Sequence, residues 1–306
     1  MLNERVAVRV PGKVLVTGAG GFVGTALCKQ LDANDIPLLK GVRGTELLPE
    51  MGIDVVVHLA SRVHVMQESL RDPLPAYREA NTLGTVNLAR QAVAAGVRRF
   101  VFVSTVKVHG EGRPVVYAES DAPCPAGPYA ISKWEAEQGL REVAAGSAME
   151  VVIVRPPLVY GPGVKANFLN MMRWVYRGLP LPLGAIHNKR SLVALDNLVD
   201  FLMVCTTHPA AANQTFLVSD GEDLSTTELL VRIAAALGKS SRLIPAPEWM
   251  LGAVASLLGK AEFARRLCGS LRVDISKART LLGWSPPLSV DEGLRRVAAD
   301  FLANRE

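Results

Sequence analysis

The apolar run at residues 14–17 passes directly into Gly18-Ala19-Gly20-Gly21-Phe22-Val23-Gly24, and this junction restricts the fold more than any other stretch of the chain. Gly18, Gly21 and Gly24 have Gly-x-x-Gly-x-x-Gly spacing. The first glycine allows a tight turn, the second lets a pyrophosphate approach backbone N–H groups, and the third permits close packing of helix on strand. An amphipathic helical pattern at 22–33 follows, so the positive end of a helix faces the turn. Alone, the glycines would describe an ordinary turn; between a strand and a helix they point to dinucleotide binding.

Downstream, short β-branched runs at 36–39, 54–59, 100–104 and 151–155 alternate with helical patterns at 76–95 and 129–145. Several of these runs are apolar throughout, so both sheet faces are covered, as in a parallel sheet wound with helices on either side. The interval from Gly24 to Asp54 has room for a helix and one strand but not for a further pair, so this edge of the sheet should be abbreviated. After residues 160–163 (YGPG) the texture changes to helices, Pro-rich connections and brief strand candidates such as 215–218. The expected architecture is α/β: a Rossmann-type doubly wound parallel sheet over 1–160, with return segments near 185–215, and a smaller, mainly helical C-terminal substrate-binding cap over 161–306.

Composition excludes several classes. Apolar residues make up 49% and charged residues 21% of 306, which argues against disorder and low complexity. The charge balance of 34 basic to 29 acidic residues is only +5, and the basic residues are scattered, which favours a small acidic partner over nucleic acid. Cys28, Cys124, Cys205 and Cys268 form no Cys-x-x-Cys pair and no His stands at ligand spacing, so neither a metal site nor a disulfide framework is expected. A reducing cytoplasm suits this cysteine usage. The opening residues lack a signal-peptide core and the longest apolar stretch, 249–259, is too short to span a bilayer, so no membrane insertion is expected.

Tyr129-Ala130-Ile131-Ser132-Lys133 opens a helical pattern and places Tyr129 and Lys133 on one face. A free phenol titrates near ~10, and bringing it to neutrality requires ~4 kcal/mol. One ammonium at ~4 Å in an effective dielectric of ~20 supplies about that much. The strand at 100–104 runs into Ser104-Thr105, where Thr105 could hydrogen-bond an oxygen that Tyr129 protonates or deprotonates. At the tip of the second strand, Leu39-Lys40-Gly41-Val42-Arg43 offers no carboxylate for a ribose 2′-hydroxyl. Lys40 and Arg43 instead suit a 2′-phosphate, which points to NADP(H) over NAD(H); the plainer reading makes them solvated loop charges.

Together these residues resemble the extended short-chain dehydrogenase/reductase family, also called the NAD-dependent epimerase/dehydratase family. The resemblance rests on TGAGGFVG at 17–24, VVHLA at 56–60, NTLGTVNL at 81–88, FVST at 102–105, YAISK at 129–133, RPPLVYGPG at 155–163 and KRSLVALDNLVD at 189–200, in the family's order. It implies an enzyme in which Thr105, Tyr129 and Lys133 perform the acid–base chemistry and Lys133 also holds the nicotinamide ribose. Gly18, Gly21, Phe22, Val23, Gly24, Lys40, Arg43, Leu59, Ala60, Ser61, Tyr129, Lys133 and Pro156 would contact NAD(P), while Asn81 would brace the sheet.

The resemblance also implies a nucleotide-diphosphate sugar, a UDP-sugar, as substrate. Arg190 matches the arginine that grips the diphosphate, Asn167 a second contact, and Leu181 lies in the LPLPLG segment along the base. As plain alternatives, Arg190 would be a surface charge and Asn167 a helix N-cap. Dehydratases of the family carry Asp-Glu after the Thr; here Val106-Lys107 follows, so dehydration is not expected. Ser61 to Met66, Lys107, His109 and residues 161–168 look like bacterial reductases of UDP-4-keto-6-deoxy-N-acetylhexosamines serving surface polysaccharides, and Leu158 replaces an Asn of many epimerases. The expectation is therefore a 4-reductase, with a UDP-glucose or UDP-N-acetylglucosamine 4-epimerase as the alternative and a non-catalytic dinucleotide sensor as a minor one. Homodimers are common in the family, and nothing in the sequence itself demonstrates one.

Overall fold

A computed structural model of the chain describes residues 11–42, 47, 49–63, 72–110, 115–257 and 267–304. The first half alternates as β1 (Lys13–Thr17), α1 (Phe22–Ala33), β2 (Leu38–Gly41), β3 (Ile53–His58), α2 (Leu74–Tyr77), a π-helical stretch at Arg78–Leu83, α3 (Gly84–Ala94), β4 (Arg99–Val103), β5 (Val116–Tyr117), α4 (Gly127–Ala145) and β6 (Glu150–Arg155). Then come β7 (Leu158–Tyr160), α5 (Ala166–Tyr176), β8 (Arg190–Ala194), α6 (Leu195–Thr207), β9 (Thr215–Leu217), β10 (Asp223–Leu224), α7 (Thr226–Ala236), α8 (Glu248–Leu257), β11 (Arg272–Val273), α9 (Ser276–Leu282) and α10 (Val290–Ala303).

Six strands form a wholly parallel sheet in the order β2-β1-β3-β4-β6-β9. This is the Rossmann-type arrangement expected. The abbreviated edge is real: one strand, β2, lies outside β1. That strand begins later than residue 36 because Pro37 has no N–H to place in a ladder; its carbonyl instead accepts from Val14 N–H at 2.8 Å.

Alternation along the buried strands divides the sheet into two cores. Val14, Val16, Val55, Val57, Val101, Val152 and Val154 face α1 and α6, whereas Leu15, Val56, Phe100, Phe102, Val151 and Ile153 face α3 and α4. Consecutive side chains point to opposite faces, so a strand buried on both sides must be apolar throughout. Leu271, Val273, Ile275, Leu282 and Trp284 also enter the first of these cores, although they lie far along the chain.

A third core joins α5, α7 and α10 through Phe168, Met171, Leu230, Ile233, Leu294 and Val297. Its hinge to the sheet is a buried polar knot. Asp220 accepts from Tyr160 Oη at 2.8 Å, Ala194 N–H at 2.8 Å and Asn197 Nδ2 at 2.7 Å, so the carboxylate is well supplied with donors in the interior. No described helix is long and apolar enough to cross a membrane.

Candidate active site

The glycine turn, the segment after β3 and the ends of β4 and β6 all lie at the carboxyl edge of the parallel sheet, where ligands of open α/β sheets bind. Gly18 has φ +71°, and a Cβ there would stand 2.7 Å from Ala60 N. A Cβ on Gly24 would stand 2.1 Å from the Gly18 carbonyl oxygen, so the third glycine packs against the turn itself. Gly21 caps α1 without any side-chain hydrogen bond, leaving the first N–H groups of that helix to an external acceptor. This cradle fits a dinucleotide pyrophosphate, with Phe22 and Val23 in the first helical turn. Leu59 N–H and Ala60 N–H lean on the Thr17 carbonyl and hydroxyl, at 3.2 and 3.5 Å, which draws residues 59–61 alongside the turn.

Tyr129 and Lys133 both lie in the first turns of α4, as the spacing requires. The Tyr129 hydroxyl is hydrogen-bonded to Ser61, which brings the helix and the segment after β3 together. Lys133 is buried, with its ammonium nitrogen 4.0 Å from the centroid of the Phe102 ring. Thr105 is buried at the end of β4, where its oxygen accepts from Lys107 N–H at 3.3 Å and its own O–H stays available as a donor. The neighbouring Ser104 turns the other way and donates to Glu137 at 2.5 Å. Pro156 is buried beside this turn, and its carbonyl accepts from Val106 N–H.

Electrostatics depart from the simple expectation of a phenol lowered by its neighbouring amine. Burial pushes Tyr129 up to about 12, opposed by its hydrogen bond with Ser61 and reinforced by Tyr77. Burial likewise pushes Lys133 down to about 7, opposed by the Glu137 carboxylate. In a poorly solvated site the cost of either charge outweighs one favourable neighbour. His58, buried between Thr17 and Thr85, falls to about 3, through burial first and the Lys133 charge second.

Two features go beyond what the sequence predicts. Asn81, expected to brace the sheet, stands in the π-helical stretch and ties the site loop to α4 instead. Its Oδ1 accepts from Arg62 N–H at 2.7 Å and Ser61 Oγ at 3.2 Å, while Nδ2 donates to Ser132 Oγ at 3.0 Å. The extra residue of the π turn interrupts what reads as one regular helix over 76–95 and turns this amide inward. The second feature is the Thr17–His58–Thr85 chain. Thr85 donates to the Asn81 carbonyl at 2.6 Å, so it accepts from His58 Nε2–H, and His58 Nδ1 accepts from Thr17. A histidine closing an apolar strand is the one sequence signal that points to it.

The residues assigned to the sugar nucleotide are more dispersed. Asn167 is exposed in the first turn of α5, whose N-cap is Lys165. Leu181 bridges in parallel to Leu243. Arg190 opens β8 and donates to the Gly269 carbonyl at 2.9 Å. Lys107 is half-buried in the turn after Thr105. Lys40 is exposed on the last residues of β2, whereas Arg43 lies outside the described residues, as do His64, Val65 and Met66.

The model of the NAD dependent epimerase/dehydratase family matches residues 14–219. A UDP-glucose 4-epimerase of Vibrio cholerae is 46% identical over 317 residues, covering 96% of this chain and 97% of that protein. Among solved structures, a UDP-glucuronic acid 4-epimerase from Bacillus cereus in complex with NAD superposes with a TM-score of 0.78 at 21% identity, covering 96% of this chain and 100% of that one. The RMD protein of Pseudomonas aeruginosa complexed with NADPH gives 0.76 at 23% identity, with coverage of 96% and 100%. These last two likenesses establish the shared fold.

Proposed function

Because the chain belongs to the NAD-dependent epimerase/dehydratase family, we propose that it is a UDP-hexose 4-epimerase, acting at C4 of UDP-glucose or UDP-N-acetylglucosamine. The observation that carries this reading is the 46% identity, over nearly the full length of both chains, to the UDP-glucose 4-epimerase of Vibrio cholerae. It supports the epimerase, the alternative expected from sequence, over the 4-keto reductase that the motifs favoured. The reductase stays as the second reading on one observation: the end of β2 carries Lys40 and no acidic residue, which suits the phosphate of NADP(H).

In this reading Gly18, Gly21, Phe22, Val23 and Gly24 would hold the pyrophosphate, Leu59, Ala60, Ser61 and Pro156 would line the dinucleotide, and the charges of Lys40 and Arg43 would serve the adenosine ribose. A bound nicotinamide dinucleotide supplies reversible hydride acceptance. Tyr129 takes the proton of the sugar's C4 hydroxyl and later returns one to the same oxygen, while the Thr105 O–H donates to that oxygen. Lys133, as an ammonium, favours the phenolate of Tyr129 by its charge and holds the nicotinamide ribose by hydrogen bonds. Arg190, Asn167, Lys107 and Leu181 receive the UDP portion, the planar guanidinium pairing with phosphate oxygens.

Incubation with UDP-glucose or UDP-N-acetylglucosamine without added dinucleotide should yield the 4-epimer. Stoichiometric oxidation of NADPH by a UDP-4-keto-6-deoxy sugar, with no epimer formed, would establish the reductase instead. Mass analysis of the co-purifying nucleotide separates NAD from NADP.

A further inference from the structure

One charged cluster lies outside the substrate contacts yet touches the reaction's helix. Glu137 stands one turn beyond Lys133 on α4 and is wholly buried. Arg155, at the end of β6 and 2% exposed in its side chain, grips it with two bonds, Nε to Oε1 at 3.0 Å and Nη2 to Oε2 at 2.5 Å. Ser104 donates to the same Oε1 at 2.5 Å. The remaining guanidinium face is also engaged: Nη1 donates to His109 Nε2 at 2.8 Å, and the group lies 5.7 Å from the centroid of the Trp134 ring.

A buried ion pair of this kind adds little stability over apolar packing of equal volume, because both ions forfeit hydration. Its value must be sought in what it does nearby. Side chains four apart on a helix are ~5–6 Å apart at Cβ, so Glu137 and Lys133 share one face of α4, and their ends meet neighbouring positions of the chain: Glu137 takes the Ser104 hydroxyl, while the Lys133 amine lies 4.0 Å from the ring centroid of Phe102, two residues earlier. The charged and titratable groups around this pair are Tyr129 on α4, His58 from β3, Arg155 from β6, Arg141 one turn further along α4, His109 from the turn after β4, and Lys277 on α9. Among the described residues Glu137 is the one acidic group acting on Lys133.

We propose that Glu137 is a positioning residue for the reaction: clamped by Arg155 and Ser104, it is the counter-charge that keeps Lys133 in its ammonium form beside Tyr129. Arg155 is thereby the clamp that fixes where this counter-charge sits. The proposal rests on the acid–base reading of Tyr129 and Lys133 given above. Without Glu137, burial acts on Lys133 unopposed, and the amine loses its proton at lower pH.

The test titrates Lys133 directly, by NMR of ¹⁵N-labelled lysine side chains, with Lys133→Met identifying the resonance. Glu137→Gln should lower the Lys133 titration by about one unit, and the alkaline limb of kcat should move down with it, giving about tenfold less turnover one unit above the wild-type limb. Glu137→Asp should restore most of the shift. Since Glu137→Gln leaves Arg155 buried without its partner, Glu137→Gln/Arg155→Met supplies a variant of similar volume with both charges removed, and it should show a smaller displacement in the same direction. An unmoved Lys133 titration in either folded variant, with loss confined to Tm, would reduce the pair to a structural one. A wild-type protein inactive on sugar nucleotides would sink the activity on which this proposal rests, an outcome distinct from an active protein whose Lys133 titration does not move in the variants, which sinks the proposal alone.

Discussion

At Gly18 and Gly24 there is no spare volume, since a single added carbon on Gly24 would collide with the Gly18 carbonyl. Asn167 is exposed, and Arg190, half-buried at the start of β8, is anchored through a loop carbonyl at Gly269. The dinucleotide half is thus specified by backbone geometry and buried polar groups, and the half assigned to the sugar nucleotide by side chains at the ends of secondary structure. An error in the first is felt as collision or as an unpaired buried group, whereas an error in the second costs a contact. The contrast explains how one scaffold can keep its cofactor site while its substrate changes.

The most severe way to break this contrast is Gly24→Val. It should abolish dinucleotide binding, measured by quenching of intrinsic fluorescence, and depress Tm; retained affinity would mean that the turn tolerates displacement. Tyr129→Phe should come next, lowering turnover by about 10³-fold while leaving dinucleotide affinity unchanged, which sets chemistry apart from the cradle that serves it. Arg190→Ala should raise the KM for the UDP-sugar by about tenfold or more with little change in kcat. If its main effect fell on Tm instead, the bond to Gly269 would be its purpose.

The smallest expected effect concerns pH. His58 is held near 3 and His109 near 4, the first by burial and Lys133, the second by burial and Arg155. The unfolded chain takes up these protons near ~6.5 and the folded one does not. Protons therefore favour the unfolded state below that value, and stability contributed by neutral burial is lost as pH falls from ~6.5 toward the folded values. Denaturant titration at pH 7.5 and pH 5 should show a loss of about 2 kcal/mol for each histidine. His58→Gln should remove part of that slope, and an equally steep slope in the variant would show that His58 is protonated in the fold.

Several elements are legible in the order of residues. Helix α1 has the bounds that the amphipathic pattern gives it, and β1, β3, β4 and β6 lie within a residue of the apolar runs. Tyr129 and Lys133 share a helix face because four residues make about one turn. The second strand starts later than its apolar run because Pro37 cannot donate, a local rule that the apolarity of the run masks. The π turn at Arg78–Leu83 leaves no such mark, since a helix with one extra residue has nearly the same composition as a regular one.

What the amino-acid order by itself determined is whatever depends on neighbours along the chain: the strand-turn-helix that cradles a pyrophosphate, the alternation that makes a parallel sheet, and the face shared by phenol and amine. The tertiary structure decided which polar groups meet across long separations, such as Asn81 with Ser132, Glu137 with Arg155 and His58 with Thr17. It also decided their protonation, raising Tyr129 and lowering Lys133. The reason is that hydrogen-bond partners and the loss of water are properties of the packed interior, and neither is written in any short stretch of chain.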